Sequence, residues 1–144
     1  MRSLFPRRAV PLAAVLLVSA LLLCGCGVAK KQAAGPVITL DGAKWNGETV
    51  QPEAQGLRVY VTLDGEKLID LPFDSPHTLT VTQPGLGENT VQITGEAVYM
   101  AHADCENQDC VQMGAVTRDN LEMRVMGGFI VCLPHRLSVE VRGE

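Results

Sequence analysis

From Leu57 onward the apolar residues recur every second position, in short runs broken by turn residues. "LRVYVTL", residues 57–63, alternates and is rich in β-branched side chains, a pattern that buries one face only when the backbone is extended. Asp64-Gly65 follows as a two-residue hairpin signal, because a type I′ turn needs positive φ at both central positions. "EKLIDLPF" supplies the return arm, and Pro72 restricts it to an edge or an end of a sheet. "HTLTVT" (77–82), the turn "QPGLGEN" (83–89) and the arms "TVQITG" and "EAVYMAH" around Gly95 continue the series. "GAVTR" and "LEMRVM" flank Asp119-Asn120, and "GGFIVCL" and "RLSVEVR" flank Pro134. No window sustains an apolar period of 3.6 residues. The one exception is "CENQDCVQMG" (105–114), which fits a single helical turn ended by Gly114. The expected fold is therefore all-β: a small barrel or sandwich of about eight short strands, with one short helical turn near the cysteines.

The N-terminus points to a compartment. Arg2, Arg7 and Arg8 precede "AVPLAAVLLVSALLL" (9–23), an uncharged apolar run suited to a signal h-region but short for a bilayer span. Leu23-Cys24-Gly25-Cys26 then resembles a bacterial lipobox, with Cys26 as the acylated residue; Leu23 is too bulky to precede a cleavage at Cys24. Residues 1–25 are read as a lipoprotein signal peptide, with an uncleaved helical anchor as the alternative. Either way the remaining chain lies on the outer face of a bacterial cell membrane, attached in the first case by lipid. Cleavage before Cys26 leaves 9 Lys+Arg against 16 Asp+Glu, a net charge of −7. Such a surface repels phosphate backbones, so no nucleic-acid partner is expected. Residues 26–56 read as a tether with a possible extra hairpin, given Val37–Leu40 and the turn pairs Asp41-Gly42 and Asn46-Gly47. Residues 57–144 form the β-domain.

Several stretches together resemble a known family. "VTLDG", "GENTVQI", "ADCENQDCVQMG" and "IVCLPHRLSVEV" occur in the order found in the NusG domain II-like family of bacterial exported and lipid-anchored proteins. Asp104, Cys105, Cys110, Gly114, Cys132, Leu133 and Pro134 occupy the family's motif positions; Glu106 stands where the family usually has Pro. The resemblance implies a small β-barrel-like fold similar to a domain inserted in some NusG transcription factors. It implies neither transcription, since fold is not function, nor a catalytic activity, since the family has none assigned.

With Cys26 acylated, Cys105, Cys110 and Cys132 remain, and three cysteines leave at least one odd. Outside the cytoplasm thiols tend to pair. The expected bridge joins Cys132 to Cys105 or Cys110 and closes a loop of roughly 20 to 30 residues, which the chain-entropy account makes worth about 3 kcal/mol. The odd cysteine is then buried or pairs between molecules; three buried thiols without a bridge, or a local Cys105–Cys110 bridge, are the alternatives. Metal binding is the sharper alternative: His102, Cys105, Cys110, Cys132 and His135 offer five ligands, though not at the spacing of a standard zinc module. Thiol exchange is disfavoured, because Asp104, Glu106 and Asp109 surround the thiols and oppose the thiolate. No nucleophile elbow, P-loop or His-Glu-x-x-His motif is present. The expected function is a non-enzymatic, lipid-anchored binding or accessory module for a protein partner, without a cofactor. The competing reading is a thiol- or metal-dependent protein using Cys105, Cys110 and Cys132.

Overall fold

A computed structural model describes residues 34–47 and 56–143. The leader, Cys26 and most of the tether lie outside the described residues. Ten strands and one helical turn follow one another: β1 (Val37–Leu40), β2 (Ala43–Lys44), β3 (Leu57–Leu63), β4 (Glu66–Pro72), β5 (His77–Gln83), β6 (Gly87–Ile93), β7 (Ala97–Ala103), α1 (Asp109–Gln112), β8 (Val116–Thr117), β9 (Phe129–Cys132) and β10 (Leu137–Gly143).

The strands form two antiparallel sheets. One has the order β2-β1-β5-β6-β7-β8 and the other β4-β3-β10-β9. The all-β expectation holds, and of its two forms the sandwich is the one found: the sheets share no strand and no barrel closes. The period-2 alternation explains the core. Val59, Val61, Leu79, Val81, Val91 and Ile93 are all fully buried, while the residues between them are half-buried. Edges are handled differently on each sheet. β2 and β8 are only two residues long, and β4 carries Pro72, so none offers a long regular edge to another chain.

The turn chemistry works as the sequence implies. Asp64 and Gly65 take φ values of 52° and 83°, and Asp41 and Gly42 take 52° and 79°, so both hairpins turn through left-handed pairs. The β1–β2 hairpin is docked on the larger sheet: β1 pairs with β5 from Val37↔Thr82 to Leu40↔Leu79. Asp41 fastens it further, accepting from Thr78 N–H at 2.8 Å and meeting His77 Nδ1 at 2.7 Å. Trp45 packs partly buried against the core.

Two segments depart from the expected strands. "GEN" joins β6 instead of the preceding turn, because Gln83↔Gly87 already closes the ladder around Pro84–Leu86. "LEMRVM" forms consecutive turns, not a strand. Asn120 caps them, with Oδ1 accepting from Thr117 N–H at 2.9 Å and Nδ2 donating to the Ala115 carbonyl at 3.0 Å. Arg124 then donates to the carbonyls of Gly127, Met113 and Ala115 at 3.0–3.1 Å. These five bonds satisfy four flanking backbone groups, and the amides of Leu121, Met123 and Arg124 bond to the Thr117 and Asn120 carbonyls, so the segment needs no partner strand.

Gly128 sits where this loop enters β9. A Cβ there would stand 2.0 Å from the Val141 carbonyl oxygen. That oxygen belongs to the β10 backbone and cannot move alone. Gly128→Ala should therefore cost more than about 2 kcal/mol, while Gly143→Ala, with open space around it, should stay within about 0.5 kcal/mol. Urea denaturation of the two variants measures the contrast; equal midpoints would contradict it.

Candidate functional site: a three-thiol corner

Three elements deliver the cysteines. β7 ends at Ala103, and the chain turns through 104–108 into α1. Gln108 holds this turn: it takes a left-handed φ of 55°, and its side-chain amide donates to the Ala103 carbonyl and, at 2.8 Å, to the Cys105 carbonyl. α1 begins at Asp109, after this non-helical residue. Gly114, at φ 70°, ends it in the expected way. Cys105 lies in the turn, Cys110 in α1, and Cys132 at the end of β9, opposite Leu137 of β10.

All three thiols are buried and meet one another. Cys105 Sγ is 3.9 Å from Cys110 Sγ and 3.8 Å from Cys132 Sγ, and all three sulfurs lie within 4.8 Å of each other. The expected disulfide is not formed: a bond requires about 2.05 Å, and the three cysteines are free. The thiols touch without bonding, Cys105 lying against both of the others. Of the five candidate metal ligands, the three sulfurs converge, and neither histidine is in that group. His102 is exposed and lines a separate open hollow of about 530 Å³ with Glu88 and Asp104. Burial pushes the Cys110 thiol up to about 12, and the adjoining Cys132 and Cys105 thiols add to the rise. A thiol so placed stays protonated at neutral pH and is a poor nucleophile.

His135 is buried, contrary to a solvated loop histidine, and serves a neighbouring polar core. Its Nδ1 donates to Asn89 Oδ1 at 2.8 Å, and Asn89 Nδ2 donates to Met100 Sδ at 3.6 Å. Gln83 Nε2 donates to the His135 carbonyl at 2.8 Å. On its other side His135 Nε2 lies 3.3 Å from Asp104 Oδ1, which also accepts from Glu88 N–H at 2.7 Å. Gly87 is required here, as a Cβ would come within 2.4 Å of both Asp104 Oδ1 and His135 Nε2. This network ties the residue before Cys105 to the loop after Cys132.

The profile of NusG domain II matches residues 12–144. The chain belongs to the NusG domain II family. Two solved structures with TM-scores above 0.5 show the same fold at low identity, and a third is similar over part of the chain. The Lin0431 protein from Listeria innocua is 22% identical with a TM-score of 0.51, over 60% of this chain and 95% of that one. A DUF1312 family protein (EF3258) from Enterococcus faecalis is 16% identical with a TM-score of 0.53, over 62% and 99%. A DUF1312 family protein from Ruminococcus gnavus is 30% identical with a TM-score of 0.48, over 61% and 100%. No curated protein matches the chain. In structural terms, the motif positions of this NusG domain II chain include the three buried sulfurs, the carboxylate beside them and the glycine that ends α1, with exposed Leu133 and Pro134 following Cys132.

Two measurements probe the polar network. Asn89→Ala strands the buried His135 Nδ1–H, which should cost about 1–3 kcal/mol by urea denaturation. Asp104 has a carboxyl held below its ordinary value of 3.8. The Glu88 N–H is the main cause and outweighs a burial effect of opposite sign; His135 and His102 contribute further. Its charged form is thus favoured by folding. The stability it adds is present above its ordinary value and is lost as pH falls through the lower folded value. Asp104→Asn should flatten the fall of the urea midpoint below about pH 4; an unchanged acid limb would show that the carboxylate contributes nothing.

Proposed function

We propose that the protein is a lipid-anchored, extracytoplasmic binding module that presents one preformed apolar ledge to a protein partner and performs no catalysis. The anchor rests on the Leu23–Cys26 lipobox and the preceding apolar run. The observation that carries the binding reading is the 121–129 surface. Met123 is 78% exposed and Val125 is fully exposed, with Met126 and Phe129 partly so. Soluble surfaces seldom gather so many large apolar side chains in one stretch unless something covers them.

The ledge is rigid. Arg124 holds its carbonyls from within, Leu121 packs on the core, and Arg118 pairs with Asp74 and lies 5.0 Å above the Phe73 ring. Little conformational entropy is then lost on docking. Met113, Arg124, Val125 and Met126 line a hollow of about 280 Å³ in it. Methionine suits such a surface because it adapts to varied apolar shapes. The acidic charge of the mature chain favours a partner with a basic rim around an apolar centre. The buried thiols, with Cys110 protonated, speak against thiol catalysis.

A photocrosslinking residue at Val125 should capture one protein in intact membranes, and the same residue at Glu66 should not. Met123→Asp with Val125→Asp should abolish capture while shifting stability by less than about 1 kcal/mol, as both side chains are exposed. Equal capture from both positions would sink the reading. Separately, Cys26→Ala should release the protein from the membrane fraction; unchanged attachment would favour an uncleaved helical anchor.

A further inference from the structure

We propose that Cys105, Cys110 and Cys132 form a three-thiolate site for a thiophilic divalent cation, for which zinc is the probe. This goes beyond the binding-module reading and does not depend on it. Two of the sulfurs come from one turn-and-helix segment and the third from β9, which is distant in sequence, yet all three face one another inside the domain. Their spacing fits a shared ion. Zinc–sulfur bonds of about 2.3 Å place sulfurs about 3.8 Å apart at the corners of a tetrahedron, or about 4.0 Å apart in a trigonal plane. The separations from Cys105 are 3.9 and 3.8 Å, and the third pair lies within 4.8 Å.

The donor set defines the ion. Three sulfurs exclude magnesium and calcium, which require oxygen. Three thiolates carry three negative charges, and a divalent ion leaves one. A monovalent ion would leave two in a buried corner that already has Asp104, Glu106 and Asp109 in its flanking sequence. Binding is an exchange without redox change: three S–H bonds break, three metal–sulfur bonds form, and three protons leave to solvent. Access exists beside two of the ligands. A cavity of about 40 Å³ lies against Cys110 and Cys132, bordered by Asn107, Asp109, Leu133 and Pro134. A water molecule occupies about 30 Å³ of liquid, so the space suits a small fourth ligand and excludes a large substrate. The site is thus coordinatively filled except at one small position.

The test uses the full chain, purified in detergent under reducing conditions, with Cys24→Ser and Cys26→Ser removing the two N-terminal thiols. One equivalent of cobalt(II) should produce an intense sulfur-to-cobalt charge-transfer band, displaced by one equivalent of zinc(II). His102→Ala should keep the band, whereas Cys110→Ser and Cys132→Ser should each lose it. X-ray absorption on the zinc-loaded chain, with all three cysteines present, should count three sulfur neighbours, so the result does not hang on whether single-cysteine variants fold. No band at one equivalent from protein with three free thiols would overturn the proposal. So would one sulfur neighbour or none, or a band lost in His102→Ala.

Discussion

The pairing of β3 with β10 is the contact on which the rest of the domain depends. It runs without interruption from Leu137↔Leu63 to Gly143↔Leu57 and joins the first and last strands of the smaller sheet. Among the described residues, neither β4 nor β9 has another strand neighbour besides β3 and β10 respectively. Half of the sandwich therefore cannot assemble until the last strand is in place. Pairing of such large sequence separation costs loop-closure entropy before it returns any stability. The return comes from the sealed faces: Val59, Val61 and Val139 are completely buried once the two strands lie side by side. Thr62 and Ser138, opposite each other on the outer face, add a hydroxyl pair at 2.6 Å.

The thiol corner inherits its geometry from that pairing. β10 positions β9 through Leu137↔Cys132, and β9 carries the third sulfur to the turn between β7 and α1. Cys105 and Cys110 are local to one loop, but Cys132 arrives only with the completed sheet. The polar network around His135 makes the same join a second time, linking β5 and β6 to the loop before β10 through Gln83 and Asn89. The corner is thus held by two independent cross-links of different chemistry, one of sulfur contacts and one of hydrogen bonds.

Strand existence was legible because β-strands with one buried face must alternate, and Leu57–Leu63 and His77–Gln83 do so cleanly. The turn pairs Asp64-Gly65 and Asp41-Gly42 were legible because few residues tolerate positive φ. "LEMRVM" misled for an instructive reason: Leu121, Met123 and Val125 alternate, but only Leu121 packs on the core, while Met123 and Val125 are exposed on a loop stabilised by Arg124 and Asn120. Those are side chain to backbone bonds, which hydrophobic periodicity does not register. The polar core was partly readable. Asn89 falls in phase with Val91 and Ile93, and Gln83 with Leu79 and Val81, so the alternation itself places them inward. What it does not supply is their partner, since His135 comes from a loop with no period. The convergence of the three sulfurs needed the sheet order, which fixes distances that spacing along the chain leaves open.

The same strand pairing brings the two ends of the β3–β10 domain together. Leu57 lies opposite Gly143, so the chain traces an almost closed circuit and leaves beside the point where it came in. The ledge shares that end: Gly128 meets Val141, and Arg118 reaches Asp74 just beyond β4. The opposite end is occupied by the Asp64-Gly65 turn, where Arg136 closes the hairpin through Asp64 at 3.0 Å. A fusion partner grafted after Gly143 would crowd the ledge. A graft at Asp64-Gly65 would leave it open, and the closeness of Leu57 and Gly143 makes the domain a natural subject for circular permutation.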